Sequence, residues 1–242
     1  AVATLLAIVA ANIPDVDAFT YLVGDSATAV AFRRGWTHGL PALVVWSVAL
    51  AALFAWWNRR RPRSAGIANA PALAGQSVPF AAFLPLAAIA VVSHPLLDWL
   101  NTYGVRFLMP FSNQWFYGDA LFIVDPPLLV LLGAGAWLSS WALRAGSARS
   151  ELPARAALVV SLLYITSMKG MSEATRRAAE RQFTMPNATR GDLMVSPVPL
   201  SLTRRDVLVR TPHDYDRFPA EWRLGGAVVG PRASRDPIGA TP

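Results

Sequence analysis

Two residues that could bind a metal, His94 and Asp98, lie four positions apart near the end of an apolar run that begins at about Pro79. On a helix this spacing places both side chains on one face, with their Cβ atoms about 5–6 Å apart. A converging imidazole nitrogen and carboxylate oxygen suit zinc or a similar divalent ion. Ionisable residues at the end of a membrane helix are costly and by default indicate a functional site.

Further acids and a second histidine lie near the ends of other apolar runs. Asp15 and Asp17 follow a proline, Thr37 precedes His38, and the next acids along the chain that could join them are Asp119 and Asp125. If the apolar runs alternate across a membrane, all of these groups lie on the same face as His94 and Asp98. This coincidence favours a metal site at which one carboxylate activates water.

Each of these patterns also has a purely structural interpretation. An Asp-x-Asp pair after a proline is typical of a turn with helix-capping acids, and Thr37 is a suitable cap for the next helix. His94 and Asp98 could belong to a buried structural network, and Asp125 could pair with an arginine or with His94. A Gly-rich phosphate loop and a nucleophile elbow are both absent from the sequence.

The composition is that of a membrane protein. Of 242 residues, 54% are hydrophobic and only 15% are charged, and the mean hydropathy is +0.36; soluble domains carry about 25% charged residues. The absence of cysteine excludes disulfides, iron–sulfur clusters and thiolate zinc sites. The net charge of +7 comes almost entirely from arginine, and much of this arginine lies in short loops between apolar runs. This placement favours contacts with lipid headgroups, so membrane lipids are expected partners and nucleic acid is not.

The apolar runs predict an all-α polytopic membrane protein with four or five spans. Residues 40–58, 79–100 and 120–143 are long enough to cross a bilayer, and residues 156–168 form a shorter run. We interpret residues 1–12 as the tail of a truncated first helix, in a fragment or a processed form. We therefore predict a transmembrane domain over residues 1–170 and a small extramembrane region over residues 171–242. That region would open with an Arg-rich amphipathic helix at residues 171–183, lying on a membrane surface, and contain short strands near residues 193–198 and 207–209.

Arginine counting predicts the orientation in the membrane. One cluster (Arg59, Arg60, Arg61, Arg63) precedes a small-residue linker at residues 64–78, and a second (Arg144, Arg149, Arg155) follows the run at residues 120–143. The positive-inside rule makes both loops cytoplasmic, which puts the acidic and histidine motifs on the periplasmic or extracellular face. Arg33, Arg34 and Arg106 on that face reduce the asymmetry.

Four motifs in order resemble the YdjM-type, LexA-regulated, membrane-bound metal-dependent hydrolases. The four motifs are Ile13-Pro14-Asp15-Val16-Asp17, Arg34-Gly35-Trp36-Thr37-His38-Gly39, Ser93-His94-Pro95-Leu96-Leu97-Asp98-Trp99-Leu100-Asn101-Thr102-Tyr103-Gly104, and Gly118-Asp119 through Asp125-Pro126. The resemblance covers about residues 1–135, and its most specific part is the motif that begins at Ser93.

The resemblance implies a multi-pass protein of the bacterial inner membrane with a metal-dependent hydrolase activity. It carries the metal-ligand positions over to Asp15, Asp17, His38, His94 and Asp98. The family is distantly similar to zinc-dependent phospholipase C and related nucleases, which implies phosphoester substrates. Family members usually carry another histidine in their first helix, and this chain begins after that position.

Two hypotheses follow. In the first, a hydrolase acts near the headgroup plane on a phosphoester of a lipid or another amphiphilic, lipid-linked molecule. Zinc, or alternatively manganese, would be held by His38, His94 and Asp98, and a second ion would be bound or bridged by Asp15 and Asp17. Asp15 or Asp98 would act as the catalytic carboxylate that activates water, while Thr37, Asp119 and Asp125 would support the ligands.

In the second hypothesis, the same groups form a non-catalytic metal site, a polar network or a cation pathway. Neither hypothesis specifies an oligomeric state.

Overall fold

The computed structural model describes residues 2–60, 78–185, 187–189 and 191–237, and the chain divides into two compact units. The first unit comprises Ala1–Trp99 and Tyr103–Tyr117, and the second comprises Leu100–Thr102 and Gly118–Pro242. The linker predicted at residues 64–78 lies outside the described residues except for its last position, as do Arg61 and Arg63 of the first arginine cluster.

The first unit is helical. It contains α1 (Val2–Asn12), a 3-10 helix (Ile13–Phe19), α2 (Thr20–Val23), α3 (Ser26–Phe32), α4 (Leu40–Arg60) and most of α5 (Phe80–Leu100). The change from α1 to the 3-10 helix coincides with Pro14, which lacks an N–H group and disfavours helical backbone in the residue before it. The result is a tight turn that carries Asp15 and Asp17 at the end of α1.

The core of this unit lies between α1, α4 and α5 and is rich in small residues. Alanines allow the helix backbones to approach closely, as in other membrane helix bundles. The buried residues of this cluster are Leu6, Ala10, Leu43, Leu50, Ala51, Phe54, Ala55, Phe83, Ala87, Ala90 and Val91.

The segment between α3 and α4 is tied to the chain that follows α5. Its Arg34 adopts a left-handed backbone with φ of 54°, and the Arg34 carbonyl accepts the N–H of Arg106 at 2.8 Å. The N–H of Leu40, the first residue of α4, donates to the carbonyl of Phe107 at 2.9 Å. These bonds fix the position of the Thr37-His38 pair immediately before α4.

The second unit begins with two long antiparallel helices, α6 (Pro126–Arg144) and α7 (Leu152–Gln182). The side chain of Asp125 caps α6 by accepting the N–H of Leu128 at 3.1 Å, and the hydroxyl of Tyr164 on α7 donates to both oxygens of Asp125 at 3.0 Å. The two helices are in close contact at Gly135, which faces Ala157.

A five-stranded antiparallel sheet follows α7, so the prediction of an all-α protein was wrong for the C-terminal region. Its strands are β1 (Leu193–Pro197), β2 (Arg204–Arg210), β3 (Asp214–Arg223), β4 (Gly226–Val229) and β5 (Ser234–Pro237). They pair in the order β1-β2-β3-β4, and β5 also pairs with β3. The two predicted short strands correspond to β1 and part of β2. The sheet as a whole was missed because charged residues occupy buried positions, Arg205 in β2 and Asp216 in β3, which obscures the alternation, and β3 contains a proline.

Helix α7 also differs from the prediction, because the apolar run at residues 156–168 and the Arg-rich segment at 171–183 form one helix of 31 residues. The inner face of the Arg-rich part is buried through Ser172, Thr175 and Ala179. That face packs on the sheet, where Ala179 joins a core with Leu193 and Val207. The amphipathic pattern therefore reflects contact with the sheet, whereas we had expected a membrane surface. The domain boundary predicted at residue 170 falls within this helix.

Five helical segments are long and apolar enough to cross a membrane, by length and composition, within the part of the chain that the structure describes. They are Val2–Leu22, Leu40–Arg60, Phe80–Leu100, Pro126–Arg144 and Leu152–Gln182. This number agrees with the predicted four or five spans. The first segment combines α1 with the 3-10 helix and most of α2.

Replacing Gly135 by alanine is expected to destabilise the pair α6 and α7. A Cβ at this position would overlap the Cβ of Ala157, so the helices must move apart, and such overpacking costs about 1–3 kcal/mol. Gly133→Ala is the matched control, since a Cβ there meets no atom within 4 Å. Thermal unfolding in detergent should give a lower Tm for Gly135→Ala alone. Equal Tm values for the two variants would contradict the close packing of these helices.

The C-terminal sheet is expected to lose stability in acid through Asp216. The Nε of Arg235 donates to this carboxylate at 2.8 Å, and Arg232 adds a longer contact at 3.4 Å, so these arginines lower the pKa of Asp216. Because the pKa is lower in the folded state, the contribution is complete above the unfolded value of about 4 and is lost as the pH falls through the folded value. Asp216→Asn should weaken the sheet at pH 6 and flatten the acid dependence, as measured by amide hydrogen exchange in β3 and β5. If the acid dependence were the same in Asp216→Asn as in the wild type, the ion pairs of Asp216 would not be the cause of the loss of stability.

Candidate metal centre

Four side chains from three parts of the first unit converge on one point. Asp15 comes from the 3-10 helix, His38 from the residues before α4, and His94 and Asp98 from consecutive turns of α5. One ligand atom from each lies within 4.8 Å of every other. His38 is fully buried, whereas Asp15 exposes 44% of its side chain. The group has the donors that a divalent metal ion prefers, two imidazoles and two carboxylates.

The partner of His94 determines which of its ring nitrogens can face an ion. The Nδ1 atom lies 2.7 Å from the carbonyl oxygen of Ala11 near the end of α1. A carbonyl only accepts, so Nδ1 carries the proton and donates it, and the lone pair is at Nε2. A backbone carbonyl in this role is a common way of orienting a histidine ligand.

His38 is held in the same tautomer by two side chains. The hydroxyl of Thr37 donates to Asp17 at 2.8 Å, and its oxygen lies 2.9 Å from Nδ1 of His38. Since the hydroxyl proton is used on Asp17, the oxygen accepts the Nδ1 proton of His38 and Nε2 keeps its lone pair. Burial opposes protonation of the ring, yet the nearby carboxylates of Asp17 and Asp98 outweigh it and raise the pKa of His38. The surroundings of the ring therefore favour positive charge.

Asp17 lies behind His38 and outside the group of four. One of its oxygens accepts the backbone N–H of Arg34 at 2.8 Å as well as the Thr37 hydroxyl, and it is 3.3 Å from Nδ1 of His38. This arrangement makes a carboxylate–histidine pair of the kind that orients metal ligands. The assignment of Asp17 as a ligand in its own right stays a prediction.

Three arginines surround the acids, and the sequence interpretation treated all of them only as topology charges. Arg34 is buried, and its Nη2 is 3.1 Å from Asp98. Arg33 places Nη2 3.4 Å from Asp15 and Nε 3.6 Å from Asp17. Arg106 donates to the backbone carbonyls of Ala31 and Arg33. The position of Arg34 within a motif beside His38 was the available signal, and it was not used.

The distances between the histidine nitrogens and the carboxylate oxygens are close to those around an ion of zinc-like size. Nε2 of His38 is 3.4 Å from Oδ2 of Asp98 and 3.9 Å from Oδ1 of Asp15, while Nε2 of His94 is 3.5 Å from Oδ2 of Asp15 and 3.7 Å from Oδ2 of Asp98. In a tetrahedral site with bonds of about 2.0–2.2 Å, neighbouring ligand atoms are about 3.3–3.6 Å apart. Among the described residues both Nε2 atoms are buried without a hydrogen-bond partner. The residues present therefore fit a bound divalent ion.

The two remaining predicted residues, Asp119 and Asp125, belong to the second unit. The backbone N–H of Asp119 donates to the carbonyl of Asn101 at 3.4 Å, and the residue has a left-handed φ of 52°. Asp125 is the cap of α6 and the partner of Tyr164, as described above. That Asp125 caps a helix was not predicted from the sequence, although an acid followed by two prolines, here Pro126 and Pro127, is a typical signal for a cap.

Comparison with protein families gives a match over most of the chain. The family described as "YdjM inner membrane protein" matches residues 1–174. The chain belongs to the YdjM inner membrane protein family. This family and the five apolar helices identify a multi-pass inner membrane protein, and the resemblance drawn from the four motifs is confirmed. The orientation in the membrane stays a prediction.

One curated protein similar to the chain is the uncharacterized protein YfhP of Bacillus subtilis, which is 29% identical over 120 residues. The matched segment covers 48% of this chain and 30% of YfhP, so the chain spans less than a third of that relative's length. No solved structure matches. The whole of the sheet, from Leu193 onward, lies beyond the segment that matches the family.

Removing the Thr37 hydroxyl is expected to weaken metal binding without removing a ligand. Thr37→Val deletes the group between Asp17 and His38, and loss of such an orienting partner typically lowers metal affinity by about 10–100-fold. Thr166→Val is the matched control, because that exposed hydroxyl bonds only within its own helix, to the carbonyl of Leu162. Zinc affinity can be measured by competition with a fluorescent chelator. Equal affinities in both variants would show that the tautomer of His38 does not depend on Thr37.

Proposed function

We propose that this protein is a membrane-bound metal-dependent hydrolase that acts on a phosphoester of a lipid or lipid-linked substrate. The observation that carries the proposal is the convergence of two oriented Nε2 atoms with two carboxylates at 3.4–3.9 Å. The four side chains that could reach the ion are Asp15, His38, His94 and Asp98. A zinc ion, or manganese, held there would polarise a phosphoryl oxygen and make water a better nucleophile.

The charges around the site support an anionic substrate. The carboxylates of Asp15, Asp17 and Asp98 are matched by three arginines, numbers 33, 34 and 106, that contact them or the adjacent backbone. With the charges of these six side chains cancelling, a divalent cation between neutral histidines leaves the region doubly positive. A phosphate diester or monoester complements this excess positive charge. The electrostatic attraction between the two is strongest where the dielectric constant is low.

A shallow, open apolar groove next to Asp15 supports an amphiphilic substrate. It has a volume of about 430 Å³ and is lined by residues of α1 and the 3-10 helix, including Ile8, Ile13, Val16 and Phe19. Asp15 is the acidic residue in this lining and the most exposed of the four ligands. A hydrocarbon chain in the groove would therefore place its polar head beside the metal ligands.

The geometry supports different roles for the two carboxylates. Asp98 is held by Arg34 at 3.1 Å and is mostly buried, which suits a permanent ligand. Asp15 is more exposed, and its oxygen lies 3.9 Å from Nε2 of His38, compared with 3.4 Å for Asp98. We assign Asp15 as the carboxylate that accepts a proton from the attacking water. Arg33, which contacts both Asp15 and Asp17, occupies the place where a second bridging ion was expected, so we propose a single ion.

The proposal is tested by assaying the detergent-purified protein, stripped and reloaded with zinc or manganese, against a chromogenic phosphodiester and phospholipid substrates. Hydrolysis should require metal, and Asp15→Asn should lower kcat by 10²-fold or more, a typical magnitude for a general base. His213→Ala, at the third histidine of the chain, serves as a control that should keep full activity. A metal-loaded protein that hydrolyses none of these substrates would refute the hydrolase proposal.

A non-catalytic metal site is the second candidate, and it is favoured by the presence of four potential protein ligands if Asp15 also binds the ion. Structural zinc sites are closed by four protein ligands, whereas catalytic sites leave one position open. The two candidates differ in the consequence of chelation, because removing a structural ion unfolds the protein. A large fall in Tm on chelation, together with inactivity on every substrate, would support the structural role. A nearly unchanged Tm with loss of hydrolysis would support the catalytic one.

A further inference from the structure

One end of the C-terminal sheet carries leucines that protrude from the fold. Leu200 and Leu202 lie in the connection between β1 and β2, and Leu224 lies in the turn between β3 and β4. Leu200 is 80% exposed, and Leu224 is fully exposed. Both connections are at the same end, because the N–H of Trp222 donates to the carbonyl of Thr203 at 3.0 Å. We call Leu200, Leu202 and Leu224 the leucine tip.

The contacts with α7 show which way the leucine tip points. At the tip end of the sheet, Arg205 donates to Ser172 at 3.1 Å and Trp222 to the carbonyl of Met171 at 3.3 Å. At the other end, the carbonyl of Leu193 accepts from Arg176 at 3.0 Å, one turn further along the helix. Since the apolar part of α7 precedes Met171, the leucine tip is directed toward the membrane-spanning part.

A narrow crevice gives the level of the leucine tip more directly. Leu200 and Leu202 line it together with Pro126, at the start of α6, and Tyr164 on α7. Asp125 and Tyr164 are the polar pair at which the apolar length of α6 begins. The leucine tip therefore lies at the depth where these two helices leave the hydrocarbon region. A large apolar side chain at this depth is adjacent to lipid.

A basic groove adjoins the leucine tip on the open face of the sheet. It has a volume of about 470 Å³, and its lining includes Arg204, Arg217 and Arg223 beside Asp206 and Glu221. The arginines are exposed, and their distances to these acids range from 3.0 to 3.9 Å. Exposed pairs of this kind contribute little and can exchange for a phosphate. Three arginines against two acids leave the groove positive.

We propose that the leucine tip inserts into the interfacial region of the bilayer and that the basic groove binds the headgroup phosphate of an anionic phospholipid. Shallow insertion of apolar side chains combined with nearby arginines is how interfacial segments bind anionic membranes. Leu200 itself has a left-handed backbone with φ of 61°. Leucine rarely adopts this conformation, and such outliers are characteristic of functional segments. The proposal is independent of the metal centre.

Spin labels test the position of the leucine tip. The sequence has no cysteine, so Leu224→Cys and His213→Cys can each be labelled with a nitroxide in the full chain. His213 is exposed in the turn between β2 and β3, at the opposite end of the sheet. In nanodiscs of phosphatidylcholine and phosphatidylglycerol, the label at Leu224 should be relaxed by oxygen and shielded from a water-soluble nickel chelate. The label at His213 should show the reverse.

Two results would overturn the insertion. Equal access of the nickel chelate to both labels would place the leucine tip in water. Shielding of the Leu224 label from oxygen as well as nickel would indicate that protein, such as a second copy of this chain, covers it.

Lipid binding tests the basic groove. Native mass spectrometry of the detergent-purified chain titrated with phosphatidylglycerol should show tight binding that Arg204→Gln and Arg223→Gln each weaken roughly fivefold. Arg210→Gln is the matched control, because Arg210 is an exposed residue at the far end of β2. Affinity for phosphatidylcholine should not change in any variant. Equal phosphatidylglycerol affinity for the wild type and the Arg204→Gln, Arg223→Gln double variant would refute the headgroup site.

Discussion

Replacement of His94 by alanine is expected to reduce the metal content of the purified protein from about one ion per chain to nearly none. The variant deletes one of four ligand atoms, and the others cannot close the gap because Asp98 is held by Arg34 and His38 by Thr37. The measurement is elemental mass spectrometry on detergent-purified protein after chelation and reloading with zinc or manganese. Membrane insertion and expression should be normal, because the His94 ring lies at the end of the apolar core.

His213→Ala controls for the loss of a histidine as such. This residue lies in the turn between β2 and β3 and outside the group of four, so its removal should leave the metal content unchanged. An unloaded wild type after reconstitution would remove the basis for a metal centre. Equal metal in wild type and His94→Ala would instead place the ion elsewhere. The first outcome would leave the cluster as a polar network that is stabilised by its arginines.

Replacement of Gly39 by alanine is expected to damage the same site without touching a ligand. A Cβ at residue 39 would overlap the carbonyl oxygen of Met109, and neither backbone can move easily because Leu40 is bonded to Phe107 at 2.9 Å. Overpacking of this kind costs about 1–3 kcal/mol. The adjacent His38 would be displaced with the backbone, so zinc affinity should fall at least tenfold.

Both effects can be followed in one preparation, through Tm and through competition with a chelator. Gly170→Ala on α7 is the control, since a Cβ there meets no atom within 4 Å and alanine favours a helix. A Gly39→Ala variant that keeps its Tm and its zinc affinity would mean that the segment before α4 is free to shift. The rigid placement of His38 would then need another explanation.

The metal ligands were predictable to the extent that their partners are close in sequence or fall at the ends of apolar runs. The four-residue spacing of His94 and Asp98 required only helical geometry, and Asp15 and His38 were found because polar groups are rare at such positions. The carbonyl of Ala11 could not be predicted, because any residue supplies a carbonyl and its use by His94 depends on how α1 and α5 pack. Arg34 was misjudged for a related reason. Its partner Asp98 is distant in sequence, and a charged residue in a loop is equally well explained by membrane topology.

The helices of the membrane region were predictable from hydropathy, but the end of α7 and the sheet were not. Arginines against alanines at residues 171–183 form an amphipathic face whether the buried side meets lipid or protein, and periodicity alone does not distinguish the two. In β3, the buried positions Asp216 and Ala220 are as unlike a hydrophobic core as the exposed ones, so alternation is hard to detect. Pairing between β2 and β3 supplies what local propensity lacks.

The bond between His94 and Ala11 also has a consequence for biogenesis. The carbonyl of Ala11 is one of the last four carbonyls of α1, and these receive no hydrogen bond from within an α-helix. His94, which donates to it, is 83 positions further along the chain. The coordinating face of the histidine is therefore undefined until α5 has entered the bilayer and packed against α1. Ion capture would report that the first and third of the five apolar segments have been assembled correctly. If synthesis stopped before Asp98, α1 and α4 would already be in the membrane, but the unfinished chain would be unable to retain an ion.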